Sequence, residues 1–292
     1  MQTNTNKLQG MLYGAFYGDA YSLGGHWVYD TQEIKNASLN LDTCNDPLST
    51  YHPTKKKGDF THYGDQMFWL LQDLVQENRF SLVDFGERWY VNMKKYDGYV
   101  DGASKHTLEK LDESKSFFSC GSPSSDLSAV SRMFPIILKY YDTPTDMQEA
   151  IKLHTIVTHM NKDLVMAGAF FSEVTMALLN GGDLDKTLQE SSQHFGDTIK
   201  QWVQDAHNAY DLDTQEAIQK LGVSCGVNGG FASTIYILLK YKDNFKQALK
   251  ENMLAGGESA ARGMLIGGIL GIIHFEDSLK CKEQMNKNKE IS

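Results

Sequence analysis

Apolar residues recur at three- and four-residue intervals along most of this 292-residue chain, and no series of alternating strands interrupts them. The spacing predicts helices over 8–23, 67–75, 81–93, 129–141, 147–159, 164–179, 184–195, 197–210, 231–241 and 245–254. A more apolar stretch, 264–273, falls well short of the ~20 residues that span a bilayer, so it reads as a buried helix. Gly263, Gly267 and Gly271 mark that segment at four-residue spacing, and Gly10, Gly14 and Gly18 do the same in the first helix. Each set leaves one helical face as bare backbone. Glycine weakens a helix, so such a face suggests close approach by another helix or by a ligand. Five prolines and the lack of a Ser/Gly-rich linker point to one all-α domain over 1–292. Its core is expected at about 8–275, with a polar tail (276–292) that extends a helix before fraying.

A net charge of −9 argues against nucleic acid as the main partner, because phosphate contacts need clustered Lys and Arg. The run Lys55-Lys56-Lys57 is too short to change this and reads as a solvated loop. Cys44, Cys120, Cys225 and Cys281 are widely spaced with no CxxC, the pattern of reduced, structural thiols, not of a disulfide frame or zinc site. The polar start lacks the apolar core of a signal peptide. A cytoplasmic monomer is expected, neither bound to nucleic acid nor integral to a membrane; export as an effector acting in a host cell is the alternative.

Candidate chemistry gathers in two glycine-flanked acidic clusters far apart in the chain, Phe60 to Gln66 and Ala255 to Arg262. A two-cation site wants several hard oxygen ligands, yet Gln66 and Ala260 stand where further acids would serve. Asp65 either lines a site or caps the helix that follows. Gly24-Gly25 reads as a helix cap that presents His26 and Trp27 at a rim, or packs Trp27 inward. The loop with Gly98, Tyr99 and Gly102 either turns or closes over a sugar or phosphate. A second small-residue loop carries Ser122 and Ser124 ahead of a helix with Arg132. His159 stands at a helix end, and Gly226 to Gly230 is no phosphate-binding loop because no Lys-Ser/Thr follows; Phe231 after it is placed to stack on a purine.

In this order the segments resemble the ADP-ribosylglycohydrolase family, which includes dinitrogenase reductase-activating glycohydrolase and the J-type crystallins. The resemblance runs over about residues 8 to 275. The family's opening G-A-x-x-G-D-A is Gly14-Ala15-Phe16-Tyr17-Gly18-Asp19-Ala20, with His26 where the family has Glu. Its T-D-D-T is read at Gly64-Asp65-Gln66-Met67, its Thr-His pair at Thr158-His159, and its Arg and Pro at Arg132 and Pro135. The closing G-G-D-T-D-T becomes Gly256-Gly257-Glu258-Ser259-Ala260-Ala261. His26 to Asp30, Tyr96 to Tyr99 and Ser259 to Gly263 look most like the crystallin-type branch.

The resemblance implies a many-helix orthogonal bundle and an ADP-ribose or ADP-ribosylated-protein partner. Members with full motifs hold two Mg²⁺ ions; here only Asp65 and Glu258 keep a carboxylate, so no metal and no cofactor is expected. The expectation is a metal-independent ADP-ribosyl hydrolase. Asp65 positions ribose or activates water, Glu258 stabilises positive charge, and His26 is the acid or base. Asp19, His62, Gln66, Gly98, Tyr99, Gly102, Ser122, Ser124, Arg132, His159, Phe231 and Arg262 are the expected binding residues. Arg262, one turn after Glu258, either supplies the charge of the lost metals or pairs elsewhere. Two other readings stay open: hydrolysis of a different glycoside, and an inactive ADP-ribose binder or crystallin-like structural protein. The hydrolase expectation requires Asp65 and Glu258 to face a common hollow.

Overall fold

The two glycine ridges meet. In the computed structural model, which describes the backbone of residues 2–291 and the side chains of 4–291, α1 (Gln2–Ser22) and a later helix, Ser259–Ile273, run antiparallel in direct contact. Gly10 lies against Gly271, Gly14 against Gly267 and Gly18 against Gly263; a Cβ built on Gly14 would stand 2.1 Å from the Gly267 carbonyl oxygen. Only glycine allows that separation.

Around this pair the remaining helices pack. They are α2 (Thr31–Asn36), α3 (His62–Glu77), α4 (Leu82–Lys94), α5 (Gly102–Asp112), α6 (Ser128–Ser131), α7 (Phe134–Tyr140) and α8 (Pro144–Thr158). Then come α9 (Lys162–Leu179), α10 (Leu184–Ser192), α11 (Gly196–Asn208), α12 (Thr214–Leu221), α13 (Val227–Lys240) and α14 (Phe245–Leu254). The glycine-ridged helix is α15, followed by α16 (Phe275–Cys281), a 3₁₀ turn (Lys282–Gln284) and α17 (Asn288–Ile291). The described residues form no strand, only isolated bridges such as Ser122 with His159 and Asp126 with Gly226. The all-α expectation holds. Among the described residues no helix is long and apolar enough to cross a membrane.

Three local differences matter for the site. The helix predicted from residue 67 begins at His62, because the Thr61 hydroxyl accepts from the Tyr63 amide at 3.1 Å and caps it. The helix predicted over 129–141 breaks into α6 and α7, since Pro135, in the first turn of α7, has no amide hydrogen to donate to the Ser131 carbonyl. The tail does not fray. Met285 and Ile291 are buried, and Asn286 bonds the Gly58 carbonyl at 2.9 Å through its amide and Asp59 at 2.8 Å through its side chain.

Asp19, on α1, is wholly buried and accepts from the Thr61 amide (2.7 Å) and hydroxyl (2.6 Å). It latches α1 to the start of α3. Burial outweighs these bonds and pushes its carboxyl up to about 7. Cys44, Cys120 and Cys281 are buried free thiols, as their spacing suggested.

Candidate active site

Glu258 caps α15, its Oε1 accepting from the Ala261 amide at 3.1 Å. Two consecutive glycines, Gly256 (φ 69°) and Gly257 (φ 63°), turn the chain into that position. Trp27 reaches it from the loop after α1. The Trp27 amide donates to the Gly257 carbonyl and the Gly257 amide to Val28, both at 2.8 Å. Trp27 itself has φ 61°, a strained conformation for a bulky residue, which those two bonds hold in place.

Glu258 Oε2 accepts from three side chains: Trp27 Nε1 (2.9 Å), the Tyr63 hydroxyl (3.1 Å) and the Cys225 thiol (3.1 Å). The Tyr63 oxygen also lies 3.3 Å from Asp126 Oδ2. A phenol has one hydrogen. If it donates to Glu258, the Asp126 contact is a hydrogen bond only when Asp126 carries a proton. Its electrostatics agree: burial first, then the negative charges of Glu258 and Asp101, push the Asp126 carboxyl up to about 7. Burial and the flanking acids also raise the Tyr63 hydroxyl, and burial with Glu258 raises the Cys225 thiol, so both keep their protons.

Backbone pairing fixes Asp126. The Ser122 amide bonds Thr158 (2.9 Å), Leu127 bonds Cys225 (2.8 Å) and Val227 bonds Ser125 (2.7 Å). Ser124 Oγ accepts from the Asp126 amide at 3.2 Å, and Ser122 Oγ from the Ser124 amide at 3.1 Å. These serines shape the acid's loop.

Aromatic rings cover the pair. Centroids of His26, His52, His62, Tyr51 and Tyr99 lie 4.5–5.3 Å from that of Trp27. The histidines are neutral: burial lowers His52 to about 3, His62 to about 4 and His26 well below its ordinary value. His26 is therefore no acid or base near neutrality. Its Nδ1 accepts from the Ala260 amide at 3.3 Å and lies 3.5 Å from Glu258.

Behind α3 runs a buried polar chain. Gln66 accepts from Trp89 (2.9 Å) and Arg132, Arg132 donates to Thr158 Oγ1 (2.8 Å), and that oxygen meets His159 Nδ1 (2.9 Å). Asp101 caps α5 through Ser104 and lies 3.7 Å from His62.

Several expected site residues lie elsewhere. Asp65 does not share the Glu258 hollow: two residues along a helix is about 200° of turn, so Tyr63 faces Glu258 while Asp65 meets Lys55, Lys287 and the Tyr96 hydroxyl. Lys55 is correspondingly no solvated lysine. Arg262 turns to Asn252 Oδ1 (3.0 Å) and the Gly256 carbonyl (2.7 Å), not to either acid. Phe231 is enclosed by Phe170, Phe171 and Trp202, with no free face for a purine. Gly98 abuts the Tyr96 ring and Gly102 opens α5. Asp126, Tyr63, His52 and Cys225 escaped sequence reasoning. A capping acid after Ser124-Ser125 and a side chain two past Thr61 were available signals for the first two; His52 and Cys225 had none.

A binuclear magnesium centre does not fit these residues. Behind the Thr61 cap, the α3 side chains facing Glu258 are His62 and Tyr63, the oxygens of Asp65 are engaged by two ammonium groups, and Ala260 and Ala261 have no side-chain oxygen. One softer ion has a set of donors: single atoms of Asp126, Cys225 and Glu258 lie within 4.8 Å of one another.

Fold and site together define an all-helical protein with a buried pair of carboxyl groups. The chain belongs to the ADP-ribosylglycohydrolase family, whose model matches residues 1–281. It is similar to crystallin J1A of Tripedalia cystophora, 22% identical over 283 residues (90% of this chain, 86% of the crystallin). Crystallin J1B of the same animal is 21% identical over 279 residues, with the same coverage. A solved ADP-ribosylglycohydrolase-related protein complex shares the fold at a TM-score of 0.74 and 14% identity, over 100% of this chain and 96% of that one.

Proposed function

We propose that this protein hydrolyses the glycosidic bond between ADP-ribose and a protein side chain by carboxyl chemistry, without a bound metal. The Asp126–Tyr63–Glu258 arrangement carries the reading. Asp126, protonated up to about pH 7, gives its proton to the leaving group. Glu258 faces the oxocarbenium-like carbon with its negative charge. Their oxygens approach within 4.8 Å, too near for the water that inverting glycosidases hold between carboxyl groups, so Glu258 would bond to the sugar carbon as the leaving group departs with the Asp126 proton. Ionised Asp126 would then take a proton from the water that attacks that carbon and frees Glu258.

The test is release of ADP-ribose from mono-ADP-ribosylated arginine and serine peptides, with and without EDTA. Release is expected to be insensitive to EDTA and to fall at least ~100-fold in Asp126→Asn and Glu258→Gln. No release from any substrate, with micromolar ADP-ribose binding by calorimetry, would favour an inactive binder. Similarity to crystallins and the full burial of Glu258 favour the remaining reading, a structural protein. Absence of both binding and release would leave that reading.

A further inference from the structure

Substrate cannot meet Glu258 in the closed site, because the side chain is wholly buried beneath Trp27. Tyr51 and His52 pack on Trp27 from the loop before α3, and Tyr99 from the loop before α5. Both loops return to one carboxylate. Asp65 is paired with Lys55, three residues past His52, and accepts from the hydroxyl of Tyr96, three before Tyr99, at 2.7 Å. Lys287 completes the group: its ammonium is 3.0 Å from Asp65 Oδ1 and 4.9 Å from the centre of the Phe68 ring. The neighbouring Asn286 clasps Gly58 and Asp59 of the same loop. The Asp65 side chain is only 4% exposed, so its charge needs these partners.

We infer that Asp65 is a positioning residue: it fastens both aromatic loops over Glu258, with Lys287 of the C-terminal segment as the third part of the clasp. This rests on Glu258 being the reacting carboxylate. Loops freed from Asp65 uncover Trp27 and expose further Cys225, which is half-buried in the closed site and touches Glu258.

Cys225 is therefore the reporter. Its alkylation by iodoacetamide is followed by mass spectrometry in the full chain, against buried Cys120, which lies outside both loops and the C-terminal segment, as the gauge of global unfolding. The Cys225 rate should rise at least ~10-fold in Asp65→Asn and several-fold in Lys55→Gln and Lys287→Gln. Lys287→Arg should restore it, and Cys120 should not change. Equal Cys225 rates in all variants overturn the inference, as does a rise that Cys120 shares. Should Asp65→Asn not fold, the lysine variants decide, their side chains being 12% and 36% exposed. No substrate is needed, so a protein that releases no ADP-ribose but labels in this pattern refutes the hydrolytic reading and keeps the clasp.

Discussion

A single phenolic hydrogen between two carboxyl groups sets the chemistry at the smallest scale. Because Asp126 is held near 7 by burial and its acidic neighbours, it is an acid below that pH and is spent above it. Release of ADP-ribose should therefore decline as pH rises through about 7. Asp126→Asn should remove that limb and lower kcat by roughly 10²–10⁴; a pH–rate series on both proteins checks it. Glu258 was legible from its glycines, since a tight turn before a helix needs them. Asp126 was not, because the serines of its loop drew the reading while its cap and the Tyr63 contact arise only on folding. Asp65 was misassigned for a geometric reason: placing the start of α3 five residues late hid which face its first turn presents.

Helix pairs carry the next level. The four-residue glycine spacing was readable as a site of close approach by a helix or a ligand, and the partner is the other glycine ridge. Gly267→Ala would set a methyl 2.1 Å from the Gly14 carbonyl oxygen, so the helices must part. A loss of about 1–3 kcal/mol or more is expected by urea unfolding. Gly102→Ala, whose Cβ would meet nothing within 4 Å, should be neutral or stabilise by up to ~1 kcal/mol. The loop before α3 and the tail were not legible, because neither has periodicity. Their positions come from isolated contacts such as Asn286 to Gly58, which no window of local sequence encodes.

Across the whole molecule, burial of titratable groups sets the acid limit. His52, His62 and His159 are lowered to about 3, 4 and 3 by burial, and His26 and His154 lie well below their ordinary value. Unfolding lets each take up a proton below about 6.5, so this contribution is lost as pH falls toward 4. Asp19 and Asp126 act oppositely, their folded values being raised to about 7, but they are fewer. Net stability should drop between pH 6.5 and 4, by on the order of 1.4 kcal/mol per unit for each excess proton. Urea midpoints at pH 7 and 5 test the sign.

The α1–α15 pairing has a consequence for synthesis. Ser22 waits for Ser259, 237 residues later, which at ribosomal speed is roughly 10–50 s. Through that interval the first helix has little intrinsic helicity and no partner for its bare ridge. The nascent polypeptide therefore closes its central seam only after Ser259 has been made, and Glu258 acquires its surroundings in that same step.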